Sequence, residues 1–190
     1  MSAELGPYLE VLRAGGVVAC PTETWMGLLA DATRPDAVAA VVRLKGRAPG
    51  APIAVLLPDA ACWDRVARDV PAAGRELAAA HWPGPLTLVA RARDDLPSAL
   101  VRDGKVGVRV PGPSPALDLV RAFGGPLTAT SANRTGEPAA RDAEGVRQIF
   151  ANAIKIIPGT APGGAPSTVL DVTTDPPSVL RAGAIGVRGG

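Results

Sequence analysis

Aromatic side chains are scarce in this chain: three Trp, one Tyr and two Phe in 190 residues. Sequence-tolerant binding of single-stranded nucleic acid relies on stacked rings, so that class is disfavoured. The formal net charge of +2 is too small to coat a polyanion, although it permits a local basic pocket. One histidine, His81, and no clustered carboxylates argue against a metal cage built by the protein itself. Cys20 and Cys62 stand in apolar or helical contexts without paired spacing, which points to a reduced, cytoplasmic compartment rather than a disulfide scaffold. No apolar run approaches the roughly 20 residues of a membrane span, and the N-terminus lacks the basic-then-apolar order of a signal peptide. A Ser-His-Asp set or Cys-His pair is missing, because His81 lies in a Trp-Pro turn remote in sequence from either cysteine. Neither common phosphate-binding glycine loop, G-x-x-x-x-G-K-[ST] or G-x-G-x-x-G, occurs.

What is present suffices for one core. Hydrophobic residues make up 47% of the chain, and a single domain over residues 1–190, without a further C-terminal domain, is expected. The 22 glycines and 20 prolines fall singly between periodic segments and act as turn punctuation. Leu5, Tyr8, Leu9 and Leu12 recur at helical spacing until Gly15-Gly16 ends the first helix. The apolar run 17–20 then stops at Pro21 and opens into Thr22-Glu23-Thr24, as a buried strand does when it delivers polar groups to its end. Trp25 and Met26 follow in the first turn after that strand. A helix over Pro35–Lys45 is predicted, capped by Thr33 with Asp36 three residues on and closed by Gly46, with Val38, Val41 and Val42 on its apolar face. Lys45 and Arg47 then stand at its C-terminus, where the dipole favours cations, and outside the core.

Beyond the loop 48–52, residues 53–57 read as a second buried strand, and 59–68 and 71–80 as two helical segments. The rigid turn His81-Trp82-Pro83-Gly84-Pro85 is a packing corner before a strand at 86–90. Residues 106–110 alternate, with three valines on one face and Gly107 and Arg109 on the other. Ser114-Pro115 starts a helix that Gly124-Gly125 stops. A short strand at 127–130 runs into Ser131-Ala132-Asn133-Arg134-Thr135-Gly136, a turn whose hydroxyls, amide and N–H groups can surround an anion. A helix at 142–152, a strand at 154–157, a Gly/Pro-rich loop at 158–166 and strands at 168–172 and 179–181 complete an α/β chain. The loop at 158–166 reads as a short lid, with glycines for hinge freedom and prolines that keep it out of the sheet.

Successive element ends thus deliver Thr22, Lys45 with Arg47, Arg109, Ser131 with Asn133, and Ser167 or Arg181. With phosphate held by cations and small-residue turns, positioning and charge stabilisation carry the chemistry. Phosphoryl or adenylyl transfer suits such a site.

The motifs G-G-V-V-A-C-P-T-E-T-W-M-G-L, R-L-K-G-R, W-P-G-P-L-T-L-V, V-G-V-R-V-P, T-S-A-N-R-T-G-E-P, S-T-V-L-D and V-L-R-A-G-A-I resemble, in sequence and in order, the YrdC-like family of threonylcarbamoyl-AMP synthases. The resemblance implies a single-domain twisted open mixed sheet with flanking helices around a basic concave pocket. It implies synthesis of threonylcarbamoyl-AMP from L-threonine, bicarbonate and ATP, with Mg²⁺ carried on the triphosphate and pyrophosphate released. A downstream transferase complex would then modify tRNA, for which weak binding is possible. By the same resemblance Lys45, Arg47, Ser131 and Asn133 are the catalytic, nucleotide-binding tetrad. Thr22, Arg109 and Ser167 contact threonine, and Arg181 contacts the nucleotide. Trp25-Met26 replaces the usual Val-Tyr, Ala51 replaces a basic or amide residue, and Pro166 replaces a Glu, all bearing on amino-acid selectivity. A carbamoyl-adenylate enzyme of the related carbamoyltransferase type and a non-catalytic RNA-binding module are the alternatives.

Overall fold

The computed structural model describes residues 2–46 and 52–186. Arg47 and Ala51, both singled out in the sequence, lie outside the described residues.

Helix α1 (Ser2–Arg13) buries Leu9 and Leu12, and Gly15 at φ +84° turns the chain into β1 (Val18–Pro21). A tight turn reverses it into β2 (Met26–Leu29), paired antiparallel from Val18↔Leu29 to Pro21↔Met26. Met26 therefore opens a strand and is not part of a loose turn. The arm is short and contains Gly27, so no alternation announces it. Helix α2 (Pro35–Lys45) has the expected limits but a different start. The Thr33 hydroxyl donates to Asp31 Oδ1 at 2.7 Å, Asp36 pairs with Arg34, and Arg34 holds the N-cap position without a side-chain bond. At the other end Gly46, left-handed at φ 56°, returns its N–H to the Val42 and Arg43 carbonyls, as a glycine cap should.

After β3 (Ala54–Leu56), the helix expected over 59–68 is instead a 3₁₀ segment at Ala60–Arg65, capped by Asp59, and a strand, β4 (Ala67–Arg68). Ala67 and Arg68 pair with Ala92 and Arg91, so the sheet offers these backbone groups partners and overrides local helical preference. Helix α3 (Ala72–His81) leads to the tryptophan corner, which has a cis Trp82-Pro83 bond. The Trp82 ring lies 4.9 Å from Trp63, and its indole donates to the Leu86 carbonyl at 2.7 Å. It is a packing corner. Then come β5 (Leu86–Ala92), β6 (Lys105–Arg109) and α4 (Pro115–Phe123), capped by Ser114 and ended by left-handed Gly124. The chain continues through β7 (Leu127–Ser131), α5 (Ala143–Phe150), β8 (Lys155–Ile156), β9 (Thr168–Asp171) and β10 (Ser178–Arg181).

The strands form one open mixed sheet in the order β10-β9-β5-β6-β3-β7-β2-β1-β8, with β4 alongside β5. Pairing is parallel at β1–β8, β3–β6 and β5–β9. Helices α1 and α4 pack on each other and on β1, and α3 packs on β5. Strand β6 shows how this builds two faces. Val106, Val108 and Val110 enter the core, while Lys105, Gly107 and Arg109 face a cavity, as a period of two dictates.

Candidate active site

A cavity of about 860 Å³ lies over the second face of the sheet. Its floor is made of small residues on adjacent strands: Gly107 on β6, Ala54 on β3, Ala129 on β7 and Gly27 on β2. A Cβ on Gly107 would come within 3.2 Å of Thr87 Cγ2, and one on Gly27 equally close to Thr22 Cγ2. Polar groups surround this floor.

At one end stands Ser131, at the tip of β7. Behind it Lys45 is 3% exposed, and its ammonium donates to the Ser131 carbonyl at 2.6 Å, the Asn133 carbonyl at 3.0 Å and Asn133 Oδ1 at 2.8 Å. An ammonium has three N–H donors, so the protein itself occupies each of them. Asn133 Oδ1 also accepts from the Ser131 hydroxyl at 2.6 Å, and its amide donates to the Arg134 and Glu137 carbonyls. The expectation that Lys45 sits outside the core is corrected. The left-handed Gly46 ends the helix against the 131–137 turn, whose Thr135 N–H binds the Lys45 carbonyl, and the side chain goes inward to satisfy carbonyls. Ser131 lines the cavity, whereas Lys45 and Asn133 lie behind the wall.

Thr22 is also largely spent on local structure. Its Oγ1 accepts from the Thr24 and Trp25 N–H groups and donates to the Trp25 carbonyl at 2.7 Å, which closes the β1–β2 turn. Thr24 Oγ1 lies 3.1 Å from it, and both threonines line the cavity.

At the opposite side Arg109 lines the cavity, 8% exposed. Its Nη1 is 3.3 Å from Glu23 Oε1, an ion contact whose alignment falls short of a hydrogen bond, since neither Glu23 oxygen nor Arg109 Nε has a hydrogen-bond partner. Burial pushes the Arg109 pKa down, the Glu23 carboxylate pulls it back up, and Arg181 pushes it down again. Burial likewise lowers that of Arg181. The Arg181 guanidinium folds onto Ser167, donating to its carbonyl at 3.1 and 2.8 Å and to its hydroxyl at 3.0 Å. The Ser167 and Thr87 hydroxyls are 2.9 Å apart.

The structure thus brings Thr22, Arg109, Ser131, Ser167 and Arg181 to one cavity, with Lys45 and Asn133 just behind it and Arg47 outside the described residues. Sequence reasoning gave no site role to Thr87, to Glu23, although it noted the Thr22-Glu23-Thr24 stretch, or to the Lys105–Asp171 pair at 2.8 Å on the rim. Thr87 and Glu23 lie inside the W-P-G-P-L-T-L-V and P-T-E-T motifs, which is the signal that marks them. Asp171 carries a weaker one, as the only charge in an apolar strand. Met26 is fully buried in the cavity wall. Trp25 donates its indole N–H to the Gly164 carbonyl at 3.2 Å, and Arg141 lies 6.0 Å from its ring centroid. Cys20 is fully buried, and burial pushes its thiol well above the ordinary range.

Fold and site define an α/β protein that gathers cations around a ligand-sized cavity over one face of an open mixed sheet. The Sua5/YciO/YrdC family model, described as telomere recombination, matches residues 10–183, and the chain belongs to that family. It is 35% identical to a threonylcarbamoyl-AMP synthase of Pyrococcus abyssi, covering 92% of this chain and 52% of that one. A threonylcarbamoyl-AMP synthase of Thiobacillus denitrificans is 35% identical, covering 90% of this chain and 91% of the other. The crystal structure of P. abyssi Sua5 complexed with L-threonine superposes with a TM-score of 0.90 at 33% identity, covering 96% of this chain and 55% of that one. The chain therefore spans about half the length of the archaeal relative and most of the bacterial one.

Proposed function

We propose that this chain is a nucleotidyltransferase that makes threonylcarbamoyl-AMP from L-threonine, bicarbonate and ATP. The observation that carries the reading is one cavity ringed by Arg109, Arg181 and Ser131, with the Lys45 charge behind it, in a chain whose relatives are named for this reaction. The threonine amine and bicarbonate form a carbamate with loss of water. A carbamate oxygen then bonds to the α-phosphorus, and the bond to pyrophosphate breaks. Two anions must meet, and at an effective dielectric near 20 unit charges 4 Å apart interact by about 4 kcal/mol. Fixed cations offset that repulsion.

In this reading Arg109 takes the threonine carboxylate, with Thr22 and Ser167 beside it. Ser131 receives the phosphates at the opposite end, with Asn133 and Lys45 holding it in place and Arg47 assigned to that end, while Arg181, folded onto Ser167 on the Arg109 side, reaches the nucleotide from across the cavity. Mg²⁺ enters on the triphosphate, where it neutralises charge. Among the described residues, the carboxylates on the cavity wall are Asp103 and the Lys105-bound Asp171, a set that suits a metal brought by the substrate. The product goes to a cytoplasmic transferase that acts on tRNA.

Mass spectrometry of the nucleotides formed from ATP, bicarbonate and mixed amino acids tests this. Threonylcarbamoyl-AMP with matching pyrophosphate is expected. Adenylate formed only from carbamoyl phosphate, or salt-dependent tRNA binding without pyrophosphate release, would overturn it.

A further inference from the structure

Both carboxylate oxygens of Glu23 are buried without a hydrogen bond, which is rare because an unsatisfied buried polar atom is costly. Glu23 sits between two residues that line the cavity, Thr22 and Thr24, yet is itself behind the wall. The 110–113 segment, which is not among the residues lining the cavity, passes close to it, since a Cβ on Gly112 would be 3.2 Å from Glu23 Cγ. On its near side is Arg109, at 3.3 Å. The order is cavity, guanidinium, carboxylate, 110–113 segment.

Among the described residues, the Glu23 contact is the one interaction shown for the Arg109 guanidinium, whose Nε–H is also unsatisfied. Without this carboxylate a guanidinium 8% exposed would face burial and the Arg181 charge uncompensated, and it would leave the cavity wall for water. We propose that Glu23 is a positioning residue: it holds Arg109 from behind so that its remaining N–H groups face the cavity and read the carboxylate of the amino-acid substrate. This rests on the threonine reading above and adds the residue that sets carboxylate selectivity. The half-made Glu23–Arg109 contact leaves the guanidinium free to form a two-pronged bond with an incoming carboxylate.

The test is calorimetric titration of the whole chain with L-threonine and with L-threoninamide, which lacks the carboxylate, alongside the KM for ATP. Wild type is expected to prefer threonine. Glu23→Gln should bind threonine at least about tenfold more weakly and lose that preference, because its neutral amide no longer anchors the cation. Its KM for ATP should stay unchanged, and Glu23→Asp should restore part of the preference. Gly112→Ala keeps the charge while pushing on Glu23 Cγ, and it should shift threonine affinity in the same direction even if Glu23→Gln fails to fold. Threonine binding unchanged in both variants would overturn the proposal, as would equal losses of threonine and ATP affinity, the mark of a merely structural role. Wild type that binds no threonine would overturn the functional reading along with it.

Discussion

The two ends of the cavity are built on opposite plans. Around Lys45 every donor is matched within the protein: three oxygens coordinate the ammonium, and Asn133 ties Ser131 to its own turn. Around Arg109 the matching is incomplete, with an ion contact at 3.3 Å and three buried polar atoms of the pair lacking hydrogen bonds. A closed network holds its geometry before any ligand arrives, which suits charge that must be in place as the transition state forms. An open one keeps capacity for a ligand that completes it. On the proposed reading, the nucleotide end is the rigid one and the amino-acid end the responsive one.

Lys45→Ala should break the comparison hardest. It removes a charge from behind the proposed phosphate site and takes one donor from each of three oxygens, so pyrophosphate release should fall about 100- to 1,000-fold. Stability should fall too, by about 1–3 kcal/mol in urea denaturation. A full loss of activity with an unchanged melting curve would mean that the network is not structural. Arg109→Lys, which keeps the charge but not the fork, should cost about tenfold in threonine affinity. With few bonds to lose, it should leave stability nearly untouched, the contrast with Lys45 that a paired melt and titration would show.

Trp25→Phe probes a third region, the 158–166 loop. The lid expected there is already fastened: Gly163 N–H binds the Thr24 carbonyl, Arg141 binds the Pro162 carbonyl at 2.7 Å, and the Trp25 indole binds Gly164. Losing the indole donor should weaken the latch by about 1 kcal/mol, seen as faster hydrogen exchange over residues 161–165 and a few-fold drop in turnover. Exchange at the wild-type rate would remove Trp25 from the latch.

The smallest effect concerns the rim. Burial raises the Asp171 carboxyl, but hydrogen bonds from Lys105 and Thr173 outweigh it and hold its pKa below the ordinary 3.8. A carboxylate depressed in the folded state stabilises it above the ordinary value, and that contribution fades as pH falls through the folded one. With Lys105 34% exposed, the contribution should be about 1 kcal/mol or less. The stability gap between wild type and Asp171→Asn, from urea midpoints at neutral pH and about pH 3, should narrow on acidification.

Local chemistry was enough to place most elements. The α2 limits, the Gly46 and Gly124 caps, the Ser114 cap and the alternation of β6 each rest on neighbours in sequence, and the structure keeps them. The motif order was also legible, and it marked five of the residues that meet at the cavity. Three things were not. Strand β2 has no alternation of its own and exists because β1 and β7 flank it. Strand β4 takes its form from β5, against its helical appearance. The roles of Lys45 and Glu23 depend on partners 88 and 86 residues away, Asn133 and Arg109. Sequence determined which side chains were available and which backbone ends would carry them, because propensity and capping act over a few residues. Only the tertiary structure decided which charge would be neutralised in advance and which left half-paired, because burial and hydrogen-bond satisfaction are set by contacts between distant strands.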